Sequence, residues 1–250
     1  MTPTALHPTA VGRLLIPRPL RRPLKNAYLQ WKLDAALARV GRLSAGEVPS
    51  RGLLEELQDA WDNKGMAART DYLQAVGREA ARTAGPILEC GSGLTTLIIG
   101  MLAGRRGVES WSFEHLGEWR DRVARVVSRQ HISGARVCLA PLHDFGGYEW
   151  YAAPLAELPP HFRLVVCDGP PGQTRGGRYG LMPIMGNRLR EGSTILLDDV
   201  DRPGETDVLE SWRREAGLDV EVHDVPTGAF AVVRCQGPAR PAPAVADARP

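Results

Sequence analysis

The chain predicts an α/β fold: a doubly wound, mostly parallel sheet covered by helices on both faces, preceded by a helical leader and closed by an antiparallel hairpin. Three observations predict it. From residue 85 onward, short strand-like runs alternate with helical runs, and alternation with short connections calls for parallel strands joined by crossover helices. Residues 87–96, ILECGSGLTT, put an apolar run, an acid and two glycines directly before a second apolar run. That is the pattern of a strand, a tight turn and a helix start. The last two strand-like runs, LDVEVHDV and AFAVVRC, are separated only by PTG. So short a link allows no crossover, and the two runs must pair antiparallel at a sheet edge.

Taken in order, residues 1–26 hold prolines at 3, 8, 17, 19 and 23 and the basic stretch RPLRRPLK. They read as an extended arm, either a contact for something anionic or simply a basic segment. From Ala27 to Val40 the spacing of Leu29, Leu33, Ala36, Leu37 and Val40 predicts a helix that Gly41 can stop. Ser50 can cap a second helix from Gly52 to about Trp61. DYLQAVGREAART predicts a third, ending at Gly85. Residues 27–84 therefore form a helical cover, whose apolar faces must pack over a cleft or against another subunit. A homodimer would meet that need.

Residues 85–235 form the main domain. After the glycine stretch come helix TTLIIGMLAGR, strand VESWSFE, helix GEWRDRVARVVSRQ and strand ARVCLAP. An aromatic loop, HDFGGYEWYAAPL, leads to strand FRLVVCDG, a Gly/Pro loop and helix YGLMPIMGNRL. Strand STILLDDV and helix ETDVLESWRREAG precede the hairpin. Residues 236–250 carry a Pro/Ala bias without a core-forming pattern and read as a disordered tail.

Composition narrows the partner classes. A formal net charge of +2 is too small a basic excess to favour nucleic acid. The sequence has no run of 18 apolar residues, so no membrane span is expected, and LLIP at 14–17 is too short for a signal peptide core. Cys90, Cys138, Cys167 and Cys235 lack metal-like spacing and fall in or beside strands. Buried free thiols in a reducing compartment, and hence a cytoplasmic location, are the expectation.

Ligands of open α/β sheets bind outside the carboxyl ends of the strands, and here those ends carry acids. Gly91 and Gly93 permit positive φ and close approach to the backbone. The helix start after them offers N–H groups to an anion or to the polar end of a cofactor. The glycines are not followed by a lysine, which excludes a phosphate loop of the GxxxxGK[ST] type. Where a dinucleotide site usually has a third glycine stands Thr95, whose hydroxyl can donate to a carboxylate or cap the helix. Glu114 closes the next strand, 21 residues beyond Gly93, and can accept both hydroxyls of a ribose. Asp168 and the pair Asp198 and Asp199 end two further strands, with Asp201 a spare acid in the same loop. Adjacent strand residues face opposite ways, so Asp198 and Asp199 can share a pocket only if the strand has ended.

Together these motifs carry a resemblance. LECGSGLTT resembles the first motif of class I S-adenosylmethionine-dependent methyltransferases, and FEH the second. VVCDGPPG resembles the family's fourth strand, ILLDDV its fifth, and the terminal hairpin is similar to its reversed last strand. The resemblance spans roughly residues 60–235 and implies a Rossmann-like, seven-stranded sheet with S-adenosylmethionine as cofactor. By it, Glu89, Gly91, Ser92 and Gly93 would hold the methionine part, Glu114 the ribose, and Leu142 with His143 would lie near the adenine. Thr95, Thr96, His115 and Asp168 complete the implied cofactor set. Asp168, Asp198 and Asp199 look like the aspartate triad of metal-dependent sugar and catechol O-methyltransferases, where a metal holds and acidifies a substrate oxygen. The usual asparagine of the catechol type is Asp199 here, nearer the macrolide-sugar type. Hard oxygen ligands favour Mg²⁺, Ca²⁺ or Mn²⁺ over Zn²⁺, and Mg²⁺ or Mn²⁺ is the expected ion.

The implied reaction is methyl transfer to a hydroxyl of a small molecule, a sugar or secondary metabolite, with Asp168, Asp199 and His143 as catalytic residues. Other readings stand beside it. A metal-free site would use Asp168 or a histidine (His115 or His143) as base; an inactive S-adenosylmethionine-binding protein or a dehydrogenase would keep the fold. RGGRY at 175–179 reads either as a mobile loop presenting Arg178 to the acceptor or as a solvated turn. Phe145, Tyr148, Trp150 and Tyr151 either line an acceptor pocket or pack a long loop against the sheet. Trp61 and Asn63 match a WxN-like lead-in seen with similar first motifs and are expected near the cofactor.

Overall fold

The leader folds into three helices, and the first starts earlier than its apolar spacing indicates. The computed structural model describes residues 17–63, 67–216 and 218–236; the expected arm up to residue 16 and the expected disordered tail from 237 lie outside them. Helix α1 (Arg18–Gly41) replaces the arm expected over residues 18–26. Pro19 falls in its first turn, where a missing N–H costs nothing and a fixed φ suits the helix. Helix α2 (Arg51–Trp61) is capped by Ser50, whose hydroxyl accepts from the Leu53 amide at 3.3 Å. Helix α3 (Thr70–Arg82) follows. The inner faces of these helices bury Leu33, Leu37, Val40, Leu54, Leu57, Leu73 and Val76 in one core.

The main sheet contains β1 (Ile87–Cys90), β2 (Ser110–Glu114), β3 (Ala135–Leu139), β6 (Phe162–Cys167), β7 (Leu189–Leu197), β8 (Asp219–Val225) and β9 (Gly228–Arg234). Its strand order is β3-β2-β1-β6-β7-β9-β8. The first five are parallel, and β9 runs antiparallel to both β7 and β8. This is the mostly parallel, seven-stranded Rossmann-like sheet with a terminal hairpin that the alternation predicts. Helices α4 (Leu94–Gly104) and α5 (Gly117–Arg129) join α1 to α3 on one face. Helices α6 (Leu181–Met185) and α7 (Pro203–Ala216) cover the other. Strand β6 shows why both faces are apolar: Leu164 and Val166 enter one core, Val165 and Cys167 the other, as a period of two requires.

Two expected elements differ. The aromatic loop contains a small antiparallel hairpin, β4 (Leu142–Asp144) with β5 (Glu149–Tyr151). The helix expected over YGLMPIMGNRL shrinks to α6 and one 3₁₀ turn, because Leu189 already pairs with Phe162 in the sheet. All four cysteines are free. Among the described residues, no helix is long and apolar enough to cross a membrane.

Strand order reverses between β1 and β6, where β2 lies on one side of β1 and β6 on the other. A crevice opens outside the carboxyl ends at such a point, and Trp61 at the end of α2, with Asn63, Ala67 and Ala68 beyond it, all line it. The outer face of α1 is left exposed, with Leu20, Leu24, Tyr28 and Trp31 between 50% and 65% accessible.

Candidate active site

The glycine turn is built by contact between two strand ends. Gly91 has φ +88°, and a Cβ there would stand 3.1 Å from the Gly169 amide nitrogen. The turns after β1 and β6 thus pack backbone on backbone, and Cys90 O accepts from Asp168 N at 3.1 Å and from Gly169 N at 2.7 Å. This approach requires the missing Cβ and positive φ of Gly91. Gly93 has φ 176°, an ordinary extended value, and open space around its Cβ position. The turn's amides are largely engaged internally, which differs from the expected open anion cradle. Gly91 N donates to Phe113 O at 3.0 Å, Ser92 N to Glu114 Oε2 at 3.2 Å, and Gly93 N to Thr96 Oγ1 at 2.9 Å.

Glu89 lies behind this turn, fully buried, and accepts from Thr96 Oγ1 at 2.6 Å and from the Ser112 hydroxyl. Burial pushes its carboxyl up to about 7, although hydrogen bonds from Ser112, Thr95 and Thr96 pull the other way. Glu89 and Thr96 therefore brace the turn from inside and do not line the crevice. Because the folded value lies above the unfolded one, the stability that Glu89 lends is present at low pH and lost as pH rises from about 4.5 to about 7. The stability of the wild type minus that of Glu89→Gln should fall by on the order of 2–3 kcal/mol between pH 4.5 and 8. Urea unfolding at the two pH values measures it.

The crevice itself is walled by Gly91, Ser92, Gly93, Thr95, Glu114, His115, Trp119, Tyr151 and Asp168, under the cover of Trp61, Asn63, Ala67 and Ala68. Glu114 sits on its floor. Burial raises the Glu114 carboxyl, but hydrogen bonds from His115, the Leu116 amide and Ser92 outweigh this and hold it below the usual range. It accepts from Ser92 Oγ at 2.9 Å and from Leu116 N at 2.9 Å, with His115 Nδ1 at 3.1 Å. Trp119 donates to Ser92 O at 2.7 Å and meets Trp61 edge to face at 5.8 Å. Arg122 stacks on both indoles, 4.5 Å and 4.7 Å from the rings. Tyr151 packs against Phe113 and His115, and its buried hydroxyl has no hydrogen-bond partner among the described residues.

A second cavity adjoins the first and shares Ala67, Ala68, Asp168 and Pro171 with it. Asp168, Asp198 and Asp199 converge on it, each offering one oxygen within 4.8 Å of the others. Two adjacent acids can do so because β7 has ended at Leu197 and Asp199 takes φ +58°, a left-handed conformation that aspartate tolerates. Three arginines are packed among them. Arg178, 1% exposed, donates through Nη2 to Asp168 O at 2.8 Å, Asp168 Oδ1 at 3.3 Å and Asp199 Oδ2 at 3.1 Å. Its Nη1 donates to Asp198 O. Arg202 Nη1 lies 2.9 Å from Asp199 Oδ2, and Arg69 Nη2 lies 3.4 Å from Asp199 Oδ1. Burial raises Asp168 to about 6 against the pull of Arg178, and burial with Asp168 and Asp199 nearby raises Asp198 to about 8.

Solved structures share this frame. The S-adenosylhomocysteine-bound Podospora anserina methyltransferase PaMTH1 is similar at a TM-score of 0.53 and 15% identity, over 94% of this chain and 99% of its own. The Streptomyces achromogenes O-methyltransferase TomG, involved in tomaymycin synthesis and solved with S-adenosylmethionine, is similar at 0.51 and 13%, over 76% and 92%. The Geobacter metallireducens GS-15 precorrin-6y C5,15-methyltransferase is similar at 0.51 and 14%, over 68% and 90%. The chain has the class I S-adenosylmethionine-dependent methyltransferase fold. No protein-family model matches it, and no curated protein matches its sequence. An O-methyltransferase and a C5,15-methyltransferase share the frame, so the methyltransferase fold alone does not name the acceptor.

Within this methyltransferase fold, several expected site residues fall elsewhere. Leu142 and His143 line neither cavity: they sit on the β4–β5 hairpin, His143 exposed and edge-on to Phe145. Tyr151, the cross-strand partner of Leu142, reaches the crevice instead. Phe145 stacks on Tyr148, which packs against Tyr179, and Trp150 packs against Tyr151, which is the loop-packing alternative. Arg178 is a buried clamp, not a mobile contact. Asp201 pairs with Arg69 at 3.1 Å. Sequence reasoning missed Trp119, Arg69, Arg202 and the buried Glu205, whose Oε1 lies 3.7 Å from Arg178 Nε. The one available signal was Trp119, an aromatic in the first turn of the helix that follows the strand-end acid Glu114.

Proposed function

We propose that the protein transfers a methyl group from S-adenosylmethionine to a hydroxyl of a small, polar molecule. The observation that carries this is the junction of the two cavities at Asp168. The first has the carboxylate, aromatic walls and cover that an adenosine with an amino-acid tail needs, including an unpartnered buried Tyr151 hydroxyl. The second is lined by acids and arginines suited to a hydroxyl-rich acceptor. When bound, S-adenosylmethionine supplies a methyl on a sulfonium. Glu114 would accept the ribose hydroxyls, and Trp61, Asn63, Ala67 and Ala68 would exclude water. Asp168 would orient the acceptor hydroxyl and take its proton as the carbon–sulfur bond breaks and the carbon–oxygen bond forms, leaving S-adenosylhomocysteine. With Asp168 raised to about 6, it is ionised yet basic near neutrality.

The converging carboxylates favour a second reading, in which Mg²⁺ or Mn²⁺ helps to deprotonate the acceptor; the arginines packed among them oppose it. Titration calorimetry tests the cofactor: S-adenosylhomocysteine should bind at micromolar strength and NAD should not. NAD binding without S-adenosylhomocysteine binding would replace the reading with a dehydrogenase.

The outer stripe of α1 suits a homodimer, since four large apolar side chains on one helix face favour burial. Light scattering should give twice the 27.2 kDa chain mass, and Trp31→Glu should return it to the monomer. A wild-type monomer at high concentration would leave the leader only its covering role.

A further inference from the structure

The three-aspartate cluster invites a divalent ion, and its oxygens have the right hardness. Their present partners argue otherwise. Both oxygens of Asp199 already face guanidinium groups, Oδ2 those of Arg178 and Arg202 and Oδ1 that of Arg69. Asp168 Oδ1 accepts from Arg178, and Asp198 Oδ1 accepts from the Asp199 amide at 2.9 Å. An ion drawn onto Asp168 and Asp199 would stand against the Arg178 guanidinium, and two cations in one partly buried site repel.

Arg178 also has nowhere to retreat. It is 1% exposed and tied to the backbone oxygens of Asp168 and Asp198. The loop that delivers it is fixed by Gly176 and Gly177, both at positive φ, and a Cβ on Gly176 would stand 2.6 Å from Tyr148 Cβ. Glu205, buried on the far side, adds a fourth acid facing the same guanidinium. Asp168, Asp199 and Glu205 thus face Arg69, Arg178 and Arg202, and these three acids have cations without an imported one, while the Asp198 carboxyl takes a backbone amide.

We propose that the Arg178 guanidinium occupies the place a divalent cation would take in this carboxylate cluster, making Arg178 a positioning residue and the site metal-independent. This rests on the methyltransferase reading for its meaning but not for its test. Arg178 holds Asp168 and Asp199 at the junction of the cavities, and Asp168 faces the acceptor directly instead of through a metal.

Mn²⁺ is the probe, with binding read by electron paramagnetic resonance and by its effect on the melting temperature, and S-adenosylhomocysteine calorimetry run on the same protein. Wild type should bind no Mn²⁺ below about 1 mM, a range far weaker than dedicated carboxylate sites reach. Arg178→Ala, which opens the cluster, should bind Mn²⁺ at least about tenfold more tightly and melt higher in its presence. Arg178→Lys keeps the charge and should resemble wild type. Stoichiometric micromolar Mn²⁺ binding to wild type that is lost in Asp199→Asn would overturn the proposal. A folded Arg178→Ala protein indifferent to Mn²⁺ would overturn it equally. If Arg178→Ala does not fold, the wild-type, Arg178→Lys and Asp199→Asn measurements still decide. Absent S-adenosylhomocysteine binding, with Mn²⁺ also unbound, would sink the cofactor reading and leave the arginine assignment standing.

Discussion

Arg178→Ala is expected to lose about 3–5 kcal/mol of folding stability near pH 8, the cost of leaving buried carboxylates without their cation. The residue is 1% exposed and faces Asp168, Asp199 and Glu205. The loss should depend on pH, and its sign can be worked out. Burial raises Asp168 and Asp198 to about 6 and about 8, while Arg178 pulls both down. The stabilisation that the guanidinium gives is therefore present where these acids are ionised and fades as pH falls through their folded values. Urea unfolding at pH 8 and pH 5 should show the larger deficit at pH 8. A deficit under about 1 kcal/mol, equal at both pH values, would mean that the acids find other partners when Arg178 is gone.

Glu114→Ala should weaken S-adenosylhomocysteine binding by about 1.5–3 kcal/mol, the loss of hydrogen bonds to a charged acceptor, or roughly 10- to 150-fold in Kd. Glu114 lines the crevice and is held ionised by Ser92, His115 and the Leu116 amide. Asp168→Asn is the control, because Asp168 lies at the far end of the crevice, where it opens on the second cavity. It should leave cofactor affinity nearly intact. An unchanged Kd for Glu114→Ala would remove the ribose from this carboxylate. A lost Kd for Asp168→Asn would put Asp168 on the cofactor's side of the junction.

What the amino-acid sequence makes legible by itself is local. The alternation of periods set the parallel sheet, since an apolar run of six flanked by helices can be buried only between two layers. Glu114 and the terminal hairpin belong to the same category: each is a strand end or a short link whose geometry follows from a few neighbouring residues. Trp61 and Asn63 came within reach by motif alone, and they do cover the crevice.

The tertiary structure decided everything that depends on where distant strand ends meet. Gly91 is a glycine because Gly169 presses against it, and the two follow strands, β1 and β6, that are far apart in sequence and meet only in the sheet. Asp198 and Asp199 share a cavity because one residue turns left-handed after β7. The family resemblance implied that His143 lies near the adenine, but pairing with Trp150 turned it outward and left Tyr151 at the wall. Arg69, Arg178 and Arg202 leave no trace in periodicity, for a charge is read as solvated until the fold buries it. Only the meeting of β1, β6 and β7 reveals that these arginines and the acids neutralise one another. Hydrophobic spacing reports which face of an element is buried; it carries no information on which charge from elsewhere in the chain arrives to meet another.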